Sequence, residues 1–380
     1  MSETHKILLI ATGGTIAGEV AKNIRDDQAI RTADDFPMIV KPTVDSLKKT
    51  WGIDVEIDPI DLKNKDGEIV KVDSSNILPD HWKGLAALIK EKYDDYDSFI
   101  ITHGTNTLGY TCAALSFAIA NSNKPIVLTG SQVPSGMPGT DALTNLSNSM
   151  RVAVWPREKS NFKRIRGVIS VFGSHIITGT RVKKDTEFDY DAFKSFAVGS
   201  IGRIGRIIHI NESNLDKHLG YLTSNQYIAA LKAEDLRCEN EFDMNIASLT
   251  EFPGMSYKIF ETLVEQNDVK AFILRSFGAG DASTNLVPGF EYLKRKEIPI
   301  VITTQAPNGN SNMQVNDPGL FLRKNKLAIP AFDMSIESQT TKLAWLLAKK
   351  GRKEINYSQL CHDMTTDIRG EINVMWEVGN

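Results

Sequence analysis

The sequence predicts an α/β protein with a larger N-terminal domain built on a parallel sheet and a smaller C-terminal α/β domain. Three observations predict it. Short apolar runs closed by glycine or small polar residues recur from the N-terminus onward, as in Ile7-Leu8-Leu9-Ile10 and Phe99-Ile100-Ile101. Such runs read as strands buried on both faces. Stretches with helical spacing alternate with them, which implies right-handed βαβ units. At 380 residues the chain is long enough for two cores.

The first strand, Ile7–Ile10, runs into Ala11-Thr12-Gly13-Gly14-Thr15-Ile16-Ala17-Gly18. A polar segment from Glu19 to Asp35 follows, rich in charge and poor in periodicity, and reads as a mobile loop. A helix is expected after Pro79, where Trp82, Leu85, Ala86, Leu88 and Ile89 recur at helical spacing. The second strand, Phe99–Ile101, runs into Thr102-His103-Gly104-Thr105-Asn106-Thr107. A helix over Thr107–Asn121 follows, with Leu108, Cys112, Leu115 and Ile119 on one face. Pro125–Thr129 and Gly167–Phe172 read as the next strands. Gly199, Gly202 and Gly205 recur beside arginines and read as a hairpin or turn. The stretch 211–245 is polar and is placed as a linker, so the domains are 1–210 and 246–380. The second contains strands at Ala271–Leu274 and Ile298–Ile302 and a helix around Leu343–Ala348.

Composition narrows the function classes. Hydrophobic residues make up 41% and charged residues 24%, ordinary for a globular protein. A net charge of −3 gives no electrostatic case for nucleic acid. No apolar run approaches the roughly 18 residues needed to span a bilayer, and Met1–Lys6 passes into a strand without a secretory signal pattern. Three widely spaced cysteines, Cys112, Cys238 and Cys361, give neither a disulfide framework nor a zinc motif and fit a reduced, cytoplasmic protein. The histidines lack ligand spacing, and Gly278-Ala279-Gly280 lacks the third glycine of a dinucleotide fingerprint. No metal and no cofactor are expected.

The chemistry concentrates in the two threonine-bearing loops. In an open α/β sheet ligands bind beyond the carboxyl ends of the strands, so Thr15 and Thr105 can share one crevice. A threonine hydroxyl beside a backbone bared by Gly13 and Gly14 suits covalent acyl transfer, and the glycine N–H groups suit an oxyanion. Read from the loop alone, Thr12 and Thr15 equally suit turn capping. Lys183 and Lys184 read alone as a solvated charge run. Asp73-Ser74-Ser75 suits a substrate carboxylate or an ordinary helix-capping loop, and the residues by themselves leave both open. His103 reads as a packed, locally hydrogen-bonded residue.

Together the two loops resemble the bacterial-type L-asparaginases, whose signatures are T-G-G-T-I-A/G and H-G-T-D-T. The resemblance continues through Asp73-Ser74-Ser75-Asn76, Thr129-Gly130-Ser131-Gln132 and Leu274-Arg275-Ser276-Phe277-Gly278, covers most of the chain, and is nearest to the type I, cytoplasmic branch. It implies the two-domain asparaginase-like fold and hydrolysis of asparagine to aspartate and ammonia, with no cofactor. It implies that Thr15 is the nucleophile and that Thr105 works with a lysine. The family segment G-x-R-x-T-K aligns with Gly179–Lys184 and puts Lys184 at that position, with Lys183 as the neighbouring alternative. Gly14, Asp73, Ser74, Ser75, Gly104 and Asn106 fall at substrate-binding positions, and a homodimer or homotetramer is implied.

Two positions depart from the family. Its Asp, which binds the substrate ammonium and pairs with the lysine, is Asn106 here. That fits a weaker asparaginase, a substrate without an ammonium, a compensating carboxylate, or an inactivating change. The family's loop tyrosine is missing, since no tyrosine precedes Tyr93. Two rival readings remain. One is the asparaginase-like subunit of archaeal glutamyl-tRNA amidotransferase, which Gly109-Tyr110-Thr111 and Arg151-Val152-Ala153 also resemble. That subunit carries a further N-terminal domain, whereas this sequence opens at the first motif. The other is a weakened member that binds an amino acid as a sensor.

Overall fold

The structure is a computed structural model that describes residues 4–14, 33–155, 164–223 and 236–373. The chain divides into two compact units, one of residues 1–195 and 199–240, the other of 196–198 and 241–380.

The first unit is built on an eight-stranded sheet. Its strands are β1 (His5–Ala11), β2 (Val55–Asp61), β3 (Ser98–Thr102), β4 (Pro125–Thr129), β5 (Gly167–Phe172), β6 (His175–Thr178), β9 (Gly202–Ile204) and β10 (Ile208–Ile210). A separate hairpin joins β7 (Val182–Lys184) to β8 (Phe193–Ser195). Across the large sheet the order is β10-β9-β6-β5-β4-β3-β1-β2. Strands β2-β1-β3-β4-β5 are parallel. The expected parallel sheet is therefore extended by antiparallel strands: β6 pairs antiparallel with β5, and β9 with β6 and β10. The link between β5 and β6 is only two residues, long enough for a hairpin and far too short for a crossover helix. The spaced glycines at 199–205 sit in and beside the β9–β10 hairpin.

The apolar runs form central strands because both of their faces are covered. Leu9, Ile100, Val127 and Ile169 are register partners across β1, β3, β4 and β5. They belong to one core with Phe36, Val40 and Leu47 of the helix Phe36–Trp51 and Leu146 and Met150 of the helix Ala142–Ala153. Their neighbours Leu8, Phe99, Ile101 and Leu128 point to the opposite face and are equally buried. Truncating one such residue, for example Ile100→Ala, would cost about 2–5 kcal/mol.

The helix expected after Pro79 spans Pro79–Glu91, with Trp82, Leu85, Ala86 and Ile89 buried as its spacing requires. That expected over Thr107–Asn121 spans Leu108–Ala118. Sequence reading misses Phe36–Trp51 and β2. The helix carries Pro37 and Pro42, and β2 carries Pro59, residues that ordinarily break such elements. Pro37 lies in the first turn, where its missing N–H costs nothing. Most of the segment Glu19–Asp35 lies outside the described residues; its end, Ala33–Asp35, is a 3₁₀ turn.

The second unit contains a four-stranded parallel sheet of β11 (Ile246–Thr250), β12 (Ala271–Ser276), β13 (Ile300–Thr304) and β14 (Ile329–Pro330), in that order. Phe260, Phe272 and Phe290 meet in its core, with Phe260 and Phe272 edge to face at 5.2 Å. The helix expected around Leu343–Ala348 spans Ile336–Gly351. The stretch read as a linker, 211–245, opens with a helix over Glu212–Thr223 that belongs to the first unit. Leu215 and Leu219 on that helix are buried, a two-residue apolar signal too short to register against the polar background.

Candidate active site

Parallel strands in the order 2-1-3-4-5 reverse direction of winding between β1 and β3. Connections leave the sheet to opposite sides there, which opens a crevice at the carboxyl ends of those two strands. The loops that leave β1 and β3 are the two threonine loops.

Three stretches of backbone meet at this point, and glycine makes the approach possible. Gly14 has φ +81°, and a Cβ there would lie 2.5 Å from the Gly104 nitrogen. A Cβ on Gly104 would in turn lie 2.6 Å from Ser74 Oγ. The β1 loop therefore rests on the β3 loop, and the β3 loop on the 73–76 turn. Thr12 ties the first contact with its Oγ1 donating to the Thr102 carbonyl at 2.9 Å. Thr15 lies outside the described residues.

The 73–76 turn presents its hydroxyls toward the β3 loop. It is a 3₁₀ turn over Ser74–Asn76 capped by Asp73, whose Oδ1 accepts from the Ser75 N–H at 2.8 Å. Capping, one of the two readings open for this motif, is thus what Asp73 does here. Ser74 is buried, its Oγ accepting the Asn106 N–H at 3.1 Å and its carbonyl accepting the Thr107 hydroxyl at 2.6 Å.

Asn106 bridges two sides of the crevice. Its Nδ2 donates to Ser75 Oγ at 2.9 Å, and its Oδ1 accepts from Lys184 Nζ at 3.2 Å. Lys184 Nζ also donates to Thr105 Oγ1 at 3.0 Å. Lys184 ends β7, which pairs antiparallel with β8. Side chains alternate along a strand, so Lys184 reaches Thr105 while Lys183 points to the other side. Burial, the larger influence, pushes the Lys184 amine below its usual range, and Glu187 pulls the other way. The cluster thus joins Thr105, Asn106, Lys184, Ser74 and Ser75, with Gly14 and Gly104 forming its floor.

His103 is wholly buried and shares in none of this. Its ring nitrogens meet the Gly104 carbonyl at 2.7 Å and the Thr111 hydroxyl at 2.9 Å, and Trp82 Nε1 donates to the same hydroxyl at 3.0 Å. Burial pushes the ring down to about 4, so it stays neutral and holds the turn. The sequence places it as a local packing residue, and its bonds are local.

Asp141 and Asn145, which sequence reasoning does not single out, brace the neighbouring loop. Asp141 accepts the N–H groups of Gln132 and Val133, each at 3.0 Å. Asn145, fully buried, donates to the Gly130 carbonyl at 2.9 Å and accepts the Gly173 N–H at 3.0 Å. Gln132 Nε2 donates to the carbonyls of Glu187 and Asp189 at 2.8 and 3.2 Å, which ties the β4 loop to the segment after Lys184. Asn145 shares its buried helical face with Asn148 and Ser149, so no sequence signal sets it apart. Among the described residues no group of three or more His, Cys, Asp or Glu could hold a metal ion. Nor, among them, is any helix long and apolar enough to cross a membrane.

A hydroxyl bonded to a half-buried lysine amine can pass a proton to it. A crevice with that pair at a switch point, beside a glycine-bared loop carrying a further threonine, has the parts for amide hydrolysis. Comparison with known proteins agrees in kind. Residues 6–216 match the family model described as "Asparaginase, N-terminal", and residues 245–356 match "Glutaminase/Asparaginase C-terminal domain". The chain is 30% identical over 369 residues to a glutamyl-tRNA(Gln) amidotransferase subunit of Methanococcus maripaludis, covering 97% of this chain and 80% of that protein. It is 32% identical over 307 residues to L-asparaginase 1 of Escherichia coli, covering 79% of this chain and 82% of that one. Among solved structures, the thermostable L-asparaginase from Thermococcus kodakarensis superimposes with a TM-score of 0.76 at 29% identity, over 97% of this chain and 99% of that one.

Proposed function

The chain belongs to the asparaginase family of amidohydrolases, and we propose that it hydrolyses the side-chain amide of asparagine to aspartate and ammonia. The observation that carries this reading is the contact of Lys184 Nζ with Thr105 Oγ1, beside the Gly14–Gly104 floor. Thr15 is the proposed nucleophile. Its hydroxyl oxygen bonds to the amide carbon, ammonia leaves with the proton delivered to it, and an ester to Thr15 remains. Water then attacks that ester, loses a proton toward Thr105 and Lys184, and frees aspartate. Ser74, Ser75, Asp73 and Asn106 are proposed to hold the substrate's polar end. The same reading extends to a homodimer or homotetramer and to cytoplasmic residence.

Ammonia release from asparagine by the purified protein tests the reading, with Thr15→Ala as the control. Thr15→Ala should abolish turnover with the fold intact, because the acyl-enzyme has no other route. Near-native turnover by a folded Thr15→Ala protein would remove the nucleophile assignment.

A second reading has its own support. The match to the amidotransferase subunit runs over 97% of this chain, as does the match to the L-asparaginase of Thermococcus kodakarensis, so overlap alone leaves both activities open. An ammonia-generating subunit would release ammonia appreciably only once a partner synthetase subunit and its tRNA are added. Full asparagine turnover by the isolated protein decides against it.

A further inference from the structure

Lys184 has two hydrogen-bond acceptors among the described residues, and both are neutral: the Thr105 hydroxyl and the Asn106 amide oxygen. The Asn106 side chain is held at both ends. Its nitrogen is committed to Ser75 Oγ, its backbone N–H to Ser74 Oγ, and Ser74 is fixed in turn by the Gly104 contact. Among the described residues, the charged groups on the neighbouring elements are these. Asp73 spends Oδ1 on the Ser75 N–H, and Asp185 is paired with Lys194 across the β7–β8 hairpin. Lys183 projects from the other face of β7, and Glu187 acts on the amine only through space.

We propose that Asn106 is a positioning residue that holds Lys184 against the Thr105 hydroxyl, with no carboxylate bonded to the amine among the described residues, so that the lysine works as the neutral amine. The inference rests on the catalytic reading above and deepens it. In the neutral form the amine lone pair accepts from Thr105: the Oγ1–H bond breaks as an N–H bond forms, Oγ1 takes the proton of the attacking hydroxyl in its place, and the ammonium produced stays hydrogen-bonded to Asn106 Oδ1. The proton returns by the same path when the leaving group is protonated. A carboxylate at 106 would stabilise the ammonium before the reaction begins, because an opposite charge within about 4–6 Å favours the charged form by about 1–3 pH units. The amide gives the same shape and the same anchor while leaving the base available at lower pH.

The test is the titration of Lys184 in the intact protein, read by NMR after reductive ¹³C-methylation and assigned by the signal lost in Lys184→Met. Asn106→Asp should move that titration up by about one unit or more. Asn106→Leu, close in volume but without an acceptor, should move it down. In kcat against pH the base must be unprotonated, so activity rises through its titration. Asn106→Asp should carry that acidic limb upward by the same interval, with kcat at a pH below the limb falling about ten-fold relative to the variant's own plateau. Any gain in substrate binding from the new charge would appear in KM instead. An unchanged titration in Asn106→Asp, or a rise in Asn106→Leu, overturns the proposal. A shifted titration in a protein that hydrolyses no amide at any pH upholds the proposal and overturns the catalytic reading.

Discussion

Two lysines, one in each unit, solve opposite problems. Lys342, on the helix Ile336–Gly351, has no exposed side chain at all. Its Nζ sits 2.6 Å from Glu371 Oε1 and donates to the carbonyls of Met364 and Thr366 at 3.2 and 2.6 Å. Glu371 completes its own shell with the N–H groups of Ile368 and Arg369 at 3.0 and 2.6 Å. Burial opposes its charge, but Lys342 and these donors outweigh burial and hold it below the usual carboxylate range. Lys184 is only half-buried, yet its two partners are a hydroxyl and an amide. Partner chemistry separates the two better than depth does. An amine given a carboxylate and carbonyls ties separate chain segments together and serves the fold. One given neutral acceptors can shed its proton and serve a reaction.

The largest effect that could break this contrast is expected at Lys184. Lys184→Met keeps the stem but removes the amine, and should lower kcat about 10³-fold, roughly 4 kcal/mol, with little change in KM. A comparable loss carried by KM instead would make Lys184 a binding residue and void the distinction.

At Lys342 the expected loss is of stability. Lys342→Met leaves Glu371 ionised and unpaired in the interior, at a cost of about 3 kcal/mol. Denaturant unfolding should show it, and kcat at permissive temperature should not. Adding Glu371→Gln should return part of the loss, since an apolar and a neutral residue can replace a buried pair. Failure of the second change to recover anything would mean that the charge pair is not what the site loses.

A smaller effect sharpens the same point through pH. Asp367 lies beside this pair, and burial, with Glu371 next, pushes its carboxyl up from 3.8 to about 7. The folded state then binds a proton that the unfolded chain has lost across that window, so this group makes stability fall as pH rises from about 4 to about 7. Asp367→Asn should flatten that fall in thermal melts. A melt profile identical to wild type from pH 4 to pH 7 would show that Asp367 ionises normally.

The smallest effect is expected at Lys183, which projects from the opposite face of β7. Lys183→Met should leave kcat within about two-fold, on the scale of an ordinary surface substitution. A loss matching that of Lys184→Met would mean that the β7 register is shifted by one residue.

Much of this is legible in the sequence because the signals are local. Ile7–Ile10 and Phe99–Ile101 announce buried strands by composition alone, and their glycine loops mark the crevice by position. The helix Pro79–Glu91 follows directly from its spacing. What stays hidden depends on distant partners. Phe36–Trp51 carries two prolines and becomes recognisable only once it packs on β1 and β2. The antiparallel strands β6 and β9 are short and gain their partners from the sheet already formed. At the site, the choice between Lys183 and Lys184 rests on strand pairing with Phe193 and Lys194, which local pattern does not contain. Asn145 looks like an ordinary polar helix residue because its partners, Gly130 and Gly173, lie 15 and 28 residues away.

The stacked glycines carry a consequence for how such a site can change over generations. Between Gly14, Gly104 and Ser74 there is no room for even one additional carbon. A lineage drifting in sequence cannot easily widen or tilt this floor by single steps, since a side chain at Gly14 collides with the Gly104 backbone and one at Gly104 with the Ser74 side chain. Novelty is channelled to side chains at the rim, where an exchange of one atom, oxygen for nitrogen, is tolerated. Asn106, exposed above that floor, stands at such a rim position.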